Sequence, residues 1–344
     1  GTEDLGGGMS AFFTVETGLT PSSINASPWN NRQSFAGLKK NGLGQFAFGT
    51  QYTPIHVAVA ATDPGEANNM TGNVIYATNT AGVGNNTQTA GVATGLNNGT
   101  DAYTIRTSNA LTLKSDSFAG FVVSALYTMN NANSNQTASY STANGSTAGG
   151  TNNNSGWGLG VNYTWQKLLV TANYQSFKSQ NPYSATTTAG GAAGTTPAPA
   201  IYGQTGGSNI QDNQAYVAAT YDFGILKAYA QYINRKVTAQ QNTGYYMSRS
   251  AEQIGVRSFI TPTVEAWASA GLGRYTAFGP GNSAVNFNGW QLGSNYYLSK
   301  RTNLYAIYGQ TLSSTGSYVG TNGTTYGGNS SGASNYAVGV RHTF

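Results

Sequence analysis

The groups in this 344-residue chain that could do chemistry are few and scattered. There are two histidines, His56 and His342, and no cysteine, which removes thiol nucleophiles and thiolate metal sites. A Ser/His/Asp centre or a metal site would need one of those histidines together with remote partners. Gly158-Leu-Gly-Val-Asn-Tyr163 has the look of a glycine-rich nucleotide loop, but no third glycine and no following helix complete it. The expectation is therefore no enzyme, no cofactor and no metal. What remains is charge: 16 basic against 11 acidic residues, net +5, without the Lys/Arg runs that nucleic acid would call for. What isolated charges can do depends on the elements that hold them.

Those elements read as strands. In Ser334-Asn-Tyr-Ala-Val-Gly-Val-Arg-His-Thr-Phe344, Tyr336, Val338 and Val340 alternate with Ala337, Gly339 and Arg341, and the segment ends on an aromatic. An apolar face backed by a polar one fits the closing strand of a transmembrane β-barrel, whose apolar face meets lipid while its lumen is wet. Only 8% of residues are charged, against about a quarter in soluble proteins, while Gly reaches 46 and Tyr 23. No run approaches the 18 or so apolar residues of a membrane helix, and the mean hydropathy of −0.32 is too polar for a helical bundle. Strands can still span a bilayer with half their residues polar.

Segments of about the 9–11 residues that a spanning strand takes recur along the chain. The spacing predicts strands at 8–17, 31–39, 43–52, 104–115, 118–129, 156–166, 168–177, 213–223, 225–235, 248–259, 263–273, 288–298, 303–311 and 335–344, with a stub at 1–5. Tight connections alternate with long ones, the pattern of periplasmic turns and external loops. The loops at 130–155 and 180–212, rich in Asn, Thr, Ser and Gly, are expected to be external and mobile.

Parity assigns the faces. Trp157, Leu159, Val161, Tyr163 and Trp165 share one, and the two tryptophans lie about 26 Å apart along a strand, placing one near each aromatic girdle. Val217, Tyr221, Ala228, Ala230 and Tyr232 should meet lipid, with Ala218, Thr220, Lys227, Tyr229 and Gln231 inward. Trp267, Arg257 and Arg341 also read as inward, the two arginines as vestibule candidates. The expected fold is thus an all-β transmembrane antiparallel barrel forming one domain, 1–344. Single-chain barrels have even strand numbers, so fifteen predicts about sixteen with the first missing from this chain and any export signal removed.

Gly1-Thr-Glu-Asp-Leu-Gly-Gly-Gly-Met-Ser-Ala-Phe-Phe-Thr-Val-Glu16, Asn31-Arg-Gln-Ser-Phe-Ala-Gly-Leu38, Phe48-Gly-Thr-Gln-Tyr-Thr-Pro54, Tyr296-Tyr-Leu-Ser-Lys-Arg-Thr-Asn-Leu-Tyr305 and Gly339-Val-Arg-His-Thr-Phe344 together resemble the general diffusion porins of Gram-negative bacteria, β-proteobacterial type. The resemblance implies a sixteen-stranded homotrimer in the bacterial outer membrane, with outer-membrane lipid and lipopolysaccharide around it and water-filled pores for small hydrophilic solutes and ions. It implies that Phe344 is read by the barrel-insertion machinery. It also implies that the third external loop, here about 53–103, folds into the lumen and narrows it. On that mapping Asp63 and Glu66 are acidic constriction-loop residues, and Arg32 and Arg106 form a basic wall opposite. Glu16 and His56 are further lumen candidates. Parity places Arg32 with Ser34 and opposite to Phe35, and Arg106 with Ser108, Ala110 and Thr112. Arginines facing acids across a narrow aqueous passage set up a transverse field and favour anions. Thr50 departs from the family, which usually has Arg in Gly49-Thr50-Gln51, and this weakens the expected selectivity. The alternative function is a barrel displaying its loops as an adhesin, with its lumen filled.

Overall fold

The computed structural model describes residues 1–19, 29–76, 97–99, 102–131, 139–142, 145–148, 153–180, 210–239, 246–278, 283–319, 325–328 and 330–343. In chain order the elements are β1 (Thr2–Gly6), β2 (Met9–Leu19), β3 (Trp29–Lys40), β4 (Gly44–Tyr52), α1 (Pro54–Thr62), β5 (Asn97–Gly99), β6 (Thr104–Ser115) and β7 (Phe121–Asn131). They continue with β8 (Ser139–Thr142), β9 (Gly145–Ala148), β10 (Asn153–Trp165), β11 (Leu168–Gln180), β12 (Ile210–Asp222), β13 (Lys227–Ala239) and β14 (Tyr246–Thr261). The last are β15 (Val264–Phe278), β16 (Ser283–Tyr297), β17 (Thr302–Ser313), β18 (Gly316–Val319), β19 (Thr325–Gly328) and β20 (Ser331–His342).

Fifteen strands form one antiparallel meander, β1-β2-β3-β4-β6-β7-β10 to β17 and then β20, with β5 added to β6 beyond the path. These are the fifteen segments that alternation predicts. Several are longer than a bilayer needs: β14 has 16 residues, β15 and β16 have 15 each, and the extra length lies mainly towards the long connections. Two of the expected loops contain strand pairs of their own. β8 pairs with β9 inside the 130–155 connection, expected as an external and mobile loop, and β18 pairs with β19. Residues 181–209 of the other expected loop, and Phe344, lie outside the described residues.

The two faces differ as parity requires. On one, Trp157, Leu159, Val161, Trp165, Val217, Tyr221, Tyr232, Tyr336, Val338 and Val340 are exposed. This is the distribution of a lipid-facing surface, since no soluble fold leaves so much apolar area in water. The other face is concave and wraps an inner segment. Helix α1 touches β6, β7 and β10 to β13, and the residues after it reach Gln253 on β14, Gln291 on β16, Thr311 on β17 and Arg341 on β20.

α1 was not foreseen. Its start is nonetheless written locally, in an N-cap Thr53 whose hydroxyl accepts from His56 N and in Pro54 at the first turn. Ile55, Ala58, Val59 and Thr62, spaced i, i+3, i+4, i+7, are all buried. They pack with Tyr216, Ile233, Val237, Tyr275 and Phe287 of the wall, so the apolar core of this molecule lies inside the curved sheet.

Candidate pore constriction

Arg32 reaches the concave face through a slip in register. Glu16 pairs with Gln33 but Thr17 with Asn31, which leaves Arg32 as the extra residue of a bulge. A bulge lets two successive side chains serve one face. Accordingly Arg32 Nε lies 2.6 Å from Glu16 Oε1 while Gln33 Nε2 donates to Glu16 Oε2 at 3.0 Å. Arg32 Nη2 also donates to the Tyr52 hydroxyl at 3.0 Å.

The same slip corrects two expectations. Ser34 pairs with Val15, which is 74% exposed on the lipid side, whereas Phe35 stacks edge-on against Phe12 at 6.3 Å and pairs with Gly49 beside the inward Ala47 and Gln51. Phe35 therefore points in and Ser34 out, because strict alternation does not carry across a bulge. Thr50 pairs with Ser34 and shares its outward row. It is not a vacated lumen position, and the argument that its identity weakens selectivity falls with it.

Arg106 is held by a second irregularity. Gly49 pairs with Ala110 but Gln51 with Thr107, so the residues between, including Asn109 at φ 51°, break the alternation that was to tie Arg106 to Ala110 and Thr112. Arg106 instead stands directly across from Tyr52, its guanidinium 5.9 Å over that ring. It is 7% exposed, and among the described residues it has no carboxylate partner.

His56 lies beneath this group, 8% exposed. Its Nδ1 is 3.1 Å from the Tyr103 hydroxyl, and the rings of Tyr52, Tyr76 and Tyr103 surround it at 4.4, 5.6 and 6.0 Å. Burial, then the positive fields of Arg106 and Arg32, push its pKa down to about 4, so the ring is neutral near pH 7. It packs rather than lining water.

Asp63 is likewise no pore carboxylate. At 2% exposure it accepts from Ala67 N (2.8 Å), Asn73 Nδ2 (3.0 Å) and Gln253 Nε2 (2.9 Å), and burial raises its pKa to about 6. Its role is to fold the tip of the inner segment, where Glu66 and Ala67 adopt left-handed φ of 57° and 52°. That turn projects Glu66 across the lumen. Glu66 Oε1 lies 2.6 Å from Arg257 Nη1 and Oε2 lies 3.2 Å from Arg341 Nη1. Burial opposes its charge, but the two arginines hold the Glu66 carboxyl below its ordinary pKa. Arg257 also pairs with Glu265 at 2.8 Å, and Glu265 accepts from Asn295 and Tyr297.

The structure thus brings Glu16 to Arg32, and Glu66 to Arg257 and Arg341, and sets Arg106 over Tyr52; Tyr52, Gln33 and Glu265, which join these groups, were not singled out from the sequence. Nor was the fastening of the inner segment to the wall. Arg249 donates to the Val74 carbonyl at 2.5 Å, Gln291 to those of Met70 and Thr71 at 2.9 Å, and Thr311 accepts from Gly72 N at 3.0 Å. The backbone at 71–74 lies in a trough of Gly271, Gly289 and Gly309, where a Cβ would strike Val74, Gly72 or Thr71. A buried ion pair, Arg235–Asp212 at 2.7 Å, completes that wall. On the passage side four arginines (32, 106, 257, 341) face three glutamates (16, 66, 265). Every glutamate is in an ion pair, and of these four arginines Arg106 is the one with no carboxylate partner among the described residues.

A family model described as Gram-negative porin matches residues 1–316. The anion-selective porin from Comamonas acidovorans has a similar structure, with a TM-score of 0.68 at 21% identity over 100% of this chain and 87% of that one. The trimer form of the outer membrane protein OmpT of Vibrio cholerae gives 0.56 at 14% identity, over 99% and 88%. A 75-residue stretch, 22% of this chain, is 37% identical to the major outer membrane protein P.IB of Neisseria gonorrhoeae, spanning 21% of that relative.

Proposed function

Because the chain belongs to the Gram-negative porins, outer-membrane β-barrel proteins, we propose that it lets small hydrophilic solutes and ions diffuse through a water-filled passage and that this passage favours anions. The observation that carries the reading is Arg106, an uncompensated cation beside Arg32 where the inner segment crosses the concave face. The segment is stapled to the β10–β17 side, so the open route runs between it and β2 to β4, past Glu16, Arg32 and Tyr52, and then past the Glu66–Arg257–Arg341 cluster. Fixed charges lining a narrow aqueous path select by sign without binding tightly, which passive diffusion requires.

Asp63 and His56 serve this site by shaping the segment; Arg32, Glu16 and Glu66 face the passing ions, and the buried Arg106 acts on them through its field. The working form is a homotrimer seated among outer-membrane lipid and lipopolysaccharide, and it catalyses no reaction.

The test is single-channel conductance and zero-current potential of the purified protein in a planar bilayer under a tenfold KCl gradient. Ohmic steps in threes with an anion-favouring potential are the expected result. Folded protein without conductance would overturn the reading and leave the loop-displaying adhesin.

A further inference from the structure

Between the Glu16–Arg32–Tyr52 group and the turns, the concave face of β2 and β3 is apolar where a wet lumen calls for polar side chains. Thr14 pairs with Phe35 and Phe12 with Gly37, so the two phenylalanines occupy successive rows of that face, with their rings 6.3 Å apart and edge-on. Gly37 leaves the space that the Phe12 ring fills, since a Cβ there would stand 2.6 Å from Phe12 Cζ. Both phenylalanines are half-buried, and neither belongs to the apolar core around α1. Packing of the inner segment therefore does not account for them.

Cations bound this strip at both ends. Arg32 commits Nε to Glu16 and Nη2 to Tyr52, while its Nη1 has no partner among the described residues. Towards the turns the next row is Ser10, Lys39, Gln45 and Lys114, and neither lysine side chain has a hydrogen bond or ion pair among the described residues. Gln33, beside Arg32, and Lys39 stand about 20 Å apart along β3, with the two aromatic rows between them. A small inorganic anion can use the cations alone. An anion with an aromatic body can use the whole strip, its ring meeting the phenylalanines edge to face and its carboxylate meeting a guanidinium fork or an ammonium.

We propose that this strip is a subsite for aromatic carboxylates. The ring slides across Phe35 and then Phe12 while its carboxylate passes from Arg32 to Lys39. Each contact is single and half in water, so the solute is favoured without being trapped, as passage through a channel requires. The inference names a substrate class for the passage and rests on the reading of that passage as an anion-favouring pore.

Bi-ionic potentials of the purified protein in a planar bilayer near pH 7 test it, with potassium chloride on one side and potassium benzoate or potassium cyclohexanecarboxylate on the other. The two organic anions have the same charge and nearly the same size, and only one is aromatic. The expected result is a benzoate permeability about threefold that of cyclohexanecarboxylate. The double variant Phe12→Thr/Phe35→Thr should bring the two permeabilities together, and Lys39→Gln should lower that of benzoate about twofold. Phe13→Leu, on the lipid face of β2, should leave the ratio as it is. Equal permeabilities through the wild type overturn the inference without any variant, and so does a ratio kept by the folded double variant. Chloride conductance separates the two readings. Normal chloride conductance without a benzoate preference overturns this inference alone, whereas folded protein with no conductance overturns the porin reading and this inference with it.

Discussion

Arg106 and Glu16 carry opposite consequences for ion preference. A unit charge about 8 Å from a passing ion is worth about 0.5 kcal/mol in water, with opposite sign for an anion and a cation, so Arg106→Gln should lower the anion-to-cation permeability ratio about fivefold. Glu16→Gln frees Arg32 from its 2.6 Å pair and should raise the ratio by a similar factor. Zero-current potentials under a KCl gradient read both, and a shift of Arg106→Gln towards anions would contradict the assignment. Position 56 matters through pH instead. Its folded pKa of about 4 lies below the ordinary 6.5, so its contribution is present above pH 6.5 and is lost as pH falls through 4. A shift of that size corresponds to something on the order of 3 kcal/mol. Asp63 has the opposite sign: its pKa is raised to about 6, so its contribution is present below pH 4 and fades as pH rises through 6. Protection factors of the 53–76 amides, with the pH dependence of intrinsic exchange divided out, should fall further on acidification towards pH 4 in the wild type than in His56→Gln, the opposing contribution of Asp63 being common to both.

Among elements, the inner segment is the one whose position sets the passage. Its backbone at 71–72 lies directly against Gly309, where a Cβ would collide with the Thr71 carbonyl. Gly309→Val cannot be absorbed by rotating a side chain, because the obstacle is backbone. It should detach the segment from β17 and change both single-channel conductance and open-channel noise, while the strands still form. An unaltered conductance in folded Gly309→Val protein would mean that the trough does not position the segment. The strand elements themselves were legible because alternation is a period-two signal repeated over every segment. The helix was missed because its signal is a single cap, Thr53-Pro54, in a stretch dominated by β-branched and small residues. What makes α1 stable is the wall around it, above all Tyr216, Ile233 and Tyr275, contributed from more than 150 positions away.

For the molecule as a whole, a surplus of positive charge facing water implies sensitivity to salt. Screening lengths fall from about 10 Å at 0.1 M to about 3 Å at 1 M. The anion preference should therefore decline steadily towards unity over that range of KCl, while conductance continues to rise. A preference that survives 1 M KCl undiminished would point to a binding site with direct ion contact rather than a field.

The sequence by itself determined the fifteen strands, which face meets lipid wherever a strand runs without a register slip, and which residues supply the charge, because side-chain direction in a regular strand is set locally. Tertiary structure decided the rest. The bulge at Arg32 turned Phe35 inward, and the irregularity before Ala110 separated Arg106 from the row assigned to it. Asp63 and Glu66, three residues apart, parted ways: one was buried among amide donors and the other was stretched between two arginines. Register slips and the docking of an inner segment are settled by partners far away in the chain, and no local pattern encodes a contact between residues 66 and 341.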